Sequence, residues 1–240
     1  KESDFYDKVK SAIVFKTTKG EYLTLQEYKD RNGEKTKDSV VYVTNEKQQA
    51  QYLMLTDEQN VDAVLMGARI DNPFMSYLES NEQENLIRFI RIDSDLSSIL
   101  KEDAPDEWAF DAGILTGMFK TALHKDKLEV KAEPLKNSDV PAIVTLPEES
   151  RRMQEMSKMF GSMNASIFDA FESKEQLVLN SRNSLIRALY AAREDEAKKA
   201  DIDIVCNQLY DLAVMSHRQL SAEDINRFVA RSAEILTRLL

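Results

Sequence analysis

The chain has 240 residues and a mass of 27.5 kDa, enough for one or two domains, and its 42% hydrophobic content is that of an ordinary folded protein. Its 42 acidic and 32 basic side chains give a net charge of −10. This excess argues against nucleic acid as a partner, because nucleic-acid binding needs a basic surface. No apolar run approaches the ~20 residues of a membrane span, so no membrane partner is expected. The single cysteine, Cys206, favours a reducing, cytoplasmic location.

In the first hundred residues, segments with the apolar pattern of strands alternate with segments that have the apolar spacing of helices. Short runs rich in β-branched or aromatic residues favour strands, and they cover residues 39–44, 61–66 and 86–91. Polar segments with spaced apolar residues favour helices, and they cover residues 5–15, 23–31, 45–56 and 71–80, the first of which is ambiguous with a strand. This alternation predicts a small three-layer α/β/α domain with a mainly parallel sheet.

The character of the sequence changes between residues 93 and 111. Seven acidic residues fall in this stretch, Lys101 is its one basic residue, and Pro105 interrupts it. We interpret it as a solvated hinge surface, because nothing in the sequence fixes the acidic side chains in a metal-binding geometry. We therefore place a domain boundary near residues 95–105.

The second predicted domain is of the α+β class. A helical pattern continues through Leu115, Phe119 and Leu123. Residues 128–135 and 141–146 are predicted to form an antiparallel pair of strands joined by a turn at 136–139, with 176–180 as a third strand of a small antiparallel sheet. Further helices are predicted at residues 148–163, 183–193, 201–216 and 221–240.

No group of residues in the sequence indicates catalysis or metal binding. The six glycines are scattered rather than gathered in a phosphate-binding loop, and neither His124 nor His217 has a second ligand at metal-binding spacing. We therefore predict no catalytic residue, no metal and no cofactor in this chain. His217 is predicted to interact with carbonyls at a helix end, and Cys206 to be a buried small apolar residue.

A methionine-rich segment forms the first of two features that rise above this background. Its side chains fall within an arc of about 120° on a helix, and they are Met153, Met156, Met159, Phe160 and Met163. An ordinary core helix would explain this pattern. Exposed methionines would instead form an adaptable apolar surface, of the kind that accepts varied partners.

The C-terminal pair of predicted helices forms the second feature. In residues 221–240 the apolar side chains share an arc near 140°, and the preceding helix is apolar on two sides. A symmetric partner would cover these faces by closing a four-helix bundle, although a helical cap within one chain is the alternative. Ser221 with Asp224 also resembles a capping box. The predicted interface residues are Leu209, Leu212, Ile225, Phe228, Val229, Ile235, Leu236 and Leu239.

Several sequence segments resemble one known family. RIDNPFMSYL at 69–78, VVYVT at 40–44, PAIV at 141–144 and LVLN at 177–180 occur in the order found in the heat-shock protein 90 chaperone family. LTLQEY at 23–28 and the methionine-rich segment, which includes Met159-Phe160, also fit. The chain is similar to this family over essentially all of its 240 residues.

The resemblance implies that this chain is part of a longer ATP-dependent chaperone. Residues 1–98 resemble the small α/β/α end of the family's middle domain, and residues 99–240 resemble its C-terminal dimerisation domain. The ATP-binding domain is not included, so ATP and Mg²⁺ would act in the full-length protein and this part would not be an enzyme. The implied partners are a second copy of the chain and unfolded or partly folded client proteins. The implied client-binding residues are Met153, Met156, Met159, Phe160 and Phe74.

Two positions depart from the family pattern. Residues 181–184 read SRNS where many members have a turn containing proline and histidine, and Pro73 beside Phe74 stands where some members have tryptophan. Two other interpretations of function are a purely structural dimerisation tether and an unrelated enzyme in the α/β part. The second would need a cleft with converging titratable groups, and the sequence nominates none.

Overall fold

The computed structural model describes residues 8, 10–81, 87–94, 97–101, 111–148, 150 and 175–240. The chain divides into two compact units, a first unit of Lys1–Leu100 and a second unit of Lys101–Leu240. Parallel and antiparallel strand pairs both occur, so the protein is of a mixed α and β class. Within the described ranges, no helix is both long enough and apolar enough to cross a membrane.

A three-stranded parallel sheet forms the centre of the first unit. Its strands are β3 (Ser39–Val43), β4 (Val64–Leu65) and β5 (Arg88–Arg91), in the order β4-β3-β5. All five residues of β3 are buried, as expected for a central strand covered on both faces. The three predicted strands and their parallel pairing are confirmed.

Helices connect these strands at the positions expected from the sequence. They are α1 (Leu25–Thr36), α2 (Ala50–Glu58) and α3 (Asp71–Asn81), and a single helical turn, α4 (Ser97–Leu100), follows β5. Helix α2 begins five residues later than predicted. The side chain of Gln49 accepts hydrogen bonds from the backbone amides of Thr44 (2.9 Å) and Asn45 (3.1 Å), which holds residues 45–49 in turns before the helix.

The sequence analysis missed a β-hairpin at the start of the described chain. Residues 10–12 form a 3-10 turn, and β1 (Val14–Lys16) then pairs antiparallel with β2 (Tyr22–Thr24). The helix predicted at 5–15 is therefore wrong for residues 14 and 15, where side chains alternate between buried and exposed with a period of two. Phe15 points inward and packs against Phe89 with ring centroids 5.9 Å apart.

Helix α1 begins with a complete capping box that the sequence analysis did not recognise. The backbone amide of Glu27 donates to the Thr24 hydroxyl (3.3 Å), and the Thr24 amide donates to the Glu27 carboxylate (2.7 Å). The helix predicted from residue 23 therefore starts at Leu25, and residues 22–24 belong to β2.

A buried carboxylate, Asp62, joins the hairpin, α1 and the approach to β4. It accepts hydrogen bonds from Lys19 (2.9 Å) and Asn32 (3.3 Å), and Arg31 lies 3.5 Å away. Burial alone would raise its pKa, but the hydrogen bonds from Lys19 and Asn32 and the charges of Lys19 and Arg31 together hold the pKa of Asp62 below its ordinary value. The Tyr28 hydroxyl completes the network by donating to the Asp62 carbonyl (2.7 Å).

We expect Asp62→Asn to destabilise the first unit by about 1–3 kcal/mol at neutral pH, because a neutral amide cannot accept from all of these donors. The lowered pKa means that the native state favours the ionised carboxylate. The stabilisation that ionised Asp62 provides is therefore present above the pKa of aspartate in the unfolded chain, ~4. It is lost as the pH falls through the lower pKa that Asp62 has in the folded state. Hydrogen exchange at the Val41 amide, which donates to Tyr28 (3.0 Å), reports the local stability between pH 6 and pH 2.

Asp57→Asn is the matched control, because Asp57 contacts the same Lys19 (3.4 Å) but is half exposed. We expect it to change stability by less than about 0.5 kcal/mol. An Asp62→Asn variant that kept the full acid dependence of the wild type would contradict the assignment to Asp62.

The sheet of the second unit corrects the predicted strand pairing. Its strands are β6 (Glu129–Glu133), β7 (Ala142–Thr145) and β8 (Gln176–Asn180), in the order β6-β8-β7. Strand β8 is parallel to β6 and antiparallel to β7, so the sheet is mixed rather than antiparallel, and β6 and β7 do not form a hairpin. The physical reason is that β8 pairs over five residues with β6 and over four with β7, which satisfies backbone groups on both of its edges.

The loop between β6 and β7 is held to the end of β8 by Asn180. Its side-chain oxygen accepts from the amides of Leu135 (3.0 Å) and Arg182 (3.1 Å), and its amide group donates to the carbonyls of Asn137 (2.8 Å) and Val140 (2.8 Å). This fully buried side chain therefore satisfies four backbone groups. The SRNS loop that follows β8 thus has a defined geometry.

Four helices accompany this sheet in the described part of the second unit. They are α5 (Ala112–Leu123), α6 (Ser184–Ala191), α7 (Lys199–His217) and α8 (Ala222–Arg238). Helix α7 packs against α5 and β7, and its inward face joins the core. Cys206 is on that face and fully buried, as predicted, and burial raises the pKa of its thiol to about 12. Of the helix predicted at 148–163, residues 149 and 151–163 lie outside the described residues.

Candidate functional site

Helix α8 presents an apolar face that stays largely exposed among the residues that the structure describes. None of its 17 residues is buried, although its apolar side chains share one arc. At the centre of this arc, Ile225, Val229 and Leu236 are 47%, 59% and 63% exposed, and Leu239 beyond the helix end is 77% exposed. Phe228 and Ile235, at the edge nearest α7, are half-buried. We call this surface the apolar arc of α8.

Polar side chains of α8 form hydrogen bonds and ion pairs with α7. Arg231 forms an ion pair with Asp211 and donates from Nε to Gln208 (3.0 Å). Gln208 in turn donates to the hydroxyl of Ser232 (2.9 Å). Near the other end of α7, Arg238 pairs with Asp201. Within the described residues, these polar contacts hold α8 on α7 while most of the apolar arc stays exposed.

Helix α7 also has exposed apolar side chains beside its contact with α8. Leu212, which was predicted as an interface residue, is exposed, and so is Met215, which was not. Leu209 is different: it is buried in the core of the second unit and is not available at the surface of the single chain. Tyr210 and Val214 also belong to the inward face of α7.

The turn between α7 and α8 is fixed at both ends. His217 is the last residue of α7 and is buried. Ser221 caps α8 by accepting from the Asp224 amide (3.1 Å) and donating to the Asp224 carboxylate (2.7 Å). That hydrogen bond and the adjacent Arg227 hold the pKa of Asp224 below its ordinary value. The predicted resemblance to a capping box is thus confirmed for the serine side.

A second exposed apolar surface lies on α3 of the first unit. Phe74, a predicted client-binding residue, is half-buried and packs against the core. Its neighbours one helical turn away, Ile70 (70% exposed) and Tyr77, are more exposed, and Pro73 lies on the same face. The sequence analysis did not select Ile70 or Tyr77, although their spacing from Phe74 indicates a shared face.

The remaining predicted client-binding residues, Met153, Met156, Met159 and Phe160, lie outside the described residues. Among the residues that the structure does describe, no three or more His, Cys, Asp or Glu side chains are grouped so that they could hold a metal ion. The candidate site is therefore the pair of helices α7 and α8, with the α3 surface as a separate second candidate.

The family to which the chain belongs is established by comparison. All of residues 1–240 match the family model described as Hsp90 protein, so the chain is a member of the Hsp90 family. It is 27% identical to the chaperone protein htpG of Bacteroides fragilis and 26% identical to that of Bacteroides thetaiotaomicron, with 98% of this chain and 44% of each relative covered. It is 25% identical to the HtpG of Yersinia enterocolitica, with 90% of this chain and 34% of the relative covered. The chain thus spans less than half of the length of these curated relatives.

Proposed function

We propose that this chain is part of an ATP-dependent molecular chaperone that assists protein folding, and that this part supplies homodimerisation and the binding of unfolded or partly folded clients. Membership of the Hsp90 family and the relatives named chaperone protein HtpG support the chaperone assignment. The observation that carries the dimerisation proposal is the uncovered apolar arc of α8.

The chemistry of this surface favours a second copy of the same chain as its occupant. Exposed leucine, isoleucine and valine side chains are costly to hydrate, and the same patch on two protomers is self-complementary under twofold symmetry. The apolar arc together with Leu212 and Met215 would release on the order of 15 kcal/mol for both protomers on burial. That gain is at least as large as the ~4–15 kcal/mol that association costs.

Sedimentation equilibrium of the purified chain tests the dimer directly. We expect a mass close to twice 27.5 kDa at micromolar concentration, independent of salt, because the proposed contact is apolar rather than ionic. A monomer at every concentration up to 100 µM would refute homodimerisation through these helices.

Client binding rests on the family and on exposed apolar side chains, and it has its own prediction. We expect Met153→Ser, Met156→Ser and Phe160→Ser, combined in one variant, to reduce protection of an aggregating client severalfold while the chain remains dimeric. We expect Ile70→Ser, at the residue before α3, to have a smaller effect in the same direction, because one exposed side chain contributes little alone. Light scattering of a thermally unfolding client protein measures both effects.

Thr237→Ser is the control, because Thr237 is exposed on α8 and takes no part in the apolar arc. If the wild-type chain gave no protection at any ratio to client, this part would act only as a dimerisation tether. If the triple variant lost its folded structure, the methionines would belong to a core and the client surface would lie elsewhere.

ATP and Mg²⁺ are proposed to act in the longer protein, with this part performing no catalysis. We expect no ATP turnover by the purified chain. We also propose a cytoplasmic location, which the single, buried cysteine, Cys206, supports. Nucleic acid and membranes are not expected as partners, given the net charge of −10.

A further inference from the structure

A polar network lies between α7 and α8 where the apolar arc meets α7. The network consists of Gln208 and Asp211 on α7 and Arg231 and Ser232 on α8, and we call it the polar clamp. Its hydrogen bonds form a chain: Arg231 contacts both Asp211 and Gln208, Gln208 donates to Ser232, and Ser232 donates to the Phe228 carbonyl (2.8 Å). Each of the four side chains therefore has a partner within one protomer.

The clamp differs from the other ion pairs of α8 in its burial. The side chains of Arg231 and Asp211 are 14% and 15% exposed, whereas Arg227, Glu223 and Glu234 are mostly solvated. Ser232 also lies inside the apolar arc, between Phe228 and Leu236, where an apolar residue would continue the pattern. Polar groups at such positions commonly fix the register and the number of helices in a bundle at a cost in stability.

The raised pKa of Asp211 agrees with a net cost in stability from burying this carboxylate, rather than a gain from its ion pairs. Burial raises the pKa of Asp211 above its ordinary value despite the neighbouring Arg231 and Arg227, and Asp224 also contributes to the increase. The loss of hydration around this carboxylate therefore outweighs its ion pairs. A buried ion pair is weak evidence for stabilisation, and in some helical bundles such groups fix the geometry instead.

We propose that the polar clamp sets the register of α8 on α7 and thereby determines that the apolar arcs close as a dimer rather than as larger assemblies. All contacts of the polar clamp are made within one protomer. The apolar arc of α8 therefore has a single orientation on that protomer before a second protomer binds. This inference rests on the proposed homodimerisation. Gln208, Asp211, Arg231 and Ser232 are positioning residues for it.

The test replaces the clamp by apolar side chains of similar size, as Gln208→Leu, Asp211→Leu, Arg231→Met and Ser232→Ala in one variant of the whole chain. Sedimentation velocity across 1–100 µM gives the distribution of oligomers, and thermal unfolding gives stability. We expect a melting temperature equal to or above that of the wild type, together with at least a tenth of the mass in trimers or larger species. Glu223→Leu with Arg227→Met is the matched control, which removes an exposed ion pair of the same helix and should stay dimeric.

A charge exchange provides a second test that keeps all polar groups. We expect Asp211→Arg alone to weaken the dimer at least tenfold, because two guanidinium groups then face each other, and Asp211→Arg with Arg231→Asp to restore it. The exchanged protomer should also form mixed dimers with the wild type at the statistical ratio, since the pair closes within each protomer. Failure of the exchange to restore the dimer, or exclusion of mixed dimers, would overturn the inference.

The outcomes separate this inference from the proposal on which it rests. A wild-type chain that is monomeric would overturn homodimerisation and the role of the clamp together. A wild-type dimer whose fourfold variant remains only dimeric, with a Kd within threefold of the wild type, would overturn the clamp alone.

Discussion

Replacing Leu236 and Leu239 together by glutamate is expected to convert the dimer to a monomer, raising its Kd at least a thousandfold. Both side chains are more than 60% exposed in the single chain, so charges at these positions leave the protomer fold intact. In the proposed dimer each glutamate would be buried without a partner, which costs several kcal/mol per charge. Because the interface is symmetric, every substitution acts twice. Sedimentation equilibrium measures the dissociation, and circular dichroism reports the retained helix.

The control adds the same charges to the same helix outside the apolar arc. Asn226→Glu with Thr237→Glu should leave the Kd within threefold of the wild type, because both positions are exposed and lie beside the arc. A dimer that survived the Leu236 and Leu239 substitutions would place the interface elsewhere on the chain. Loss of α8 helicity at millimolar concentrations of the variant would instead assign the arc to the core of one protomer.

Asn180→Asp is expected to produce the largest loss of stability of any single substitution described here, about 4 kcal/mol. The change keeps size and shape, but it replaces an amide that donates to the Asn137 and Val140 carbonyls by a carboxylate oxygen facing them. Both carbonyls lose their bond, and a buried negative charge is left beside them. Urea unfolding at a fixed protein concentration measures the change in free energy.

Asn226→Asp is the isosteric control, because Asn226 is exposed on α8. It should change the free energy of unfolding by no more than about 0.5 kcal/mol. An equal loss in both variants would mean that the added charge, and not the four hydrogen bonds of Asn180, sets the stability.

The strands of the first unit were predictable because their signal is local. Residues 40–43 are apolar without interruption, and this is sufficient to indicate a strand covered on both faces. The hairpin at 14–24 was missed because each of its strands has three residues, too few for a period of two to stand out against the helical pattern of residues 5–15.

Strand order in the second unit was not predictable from neighbouring segments. Strands β6 and β7 are close in sequence and are joined by turn-forming residues, which favours a hairpin. Strand β8, 30 residues after β7, inserts between them and pairs with both, which satisfies backbone groups on each of its edges. The sequence of the turn between β6 and β7 therefore cannot indicate that the distant strand β8 separates them.

The apolar pattern of α8 was predictable from the sequence, but the side of α8 that faces α7 was not. Helical periodicity identified the apolar arc of α8 and the charged side opposite it. It could not indicate that Arg231 and Ser232 contact α7 while most of the arc stays exposed, because this depends on where Gln208 and Asp211 lie on the facing helix. It also placed Leu209 at the interface, whereas the packing of α7 on α5 places it in the core.

The central position of β8 has a consequence for how the chain acquires its structure during synthesis. The sheet of the first unit is complete once residue 91 has emerged from the ribosome. The sheet of the second unit has no paired strands until residues 176–180 follow, since β6 and β7 pair only with β8. The first unit is thus free to fold while the second is still being translated, and helix α8 with its apolar arc emerges after both sheets.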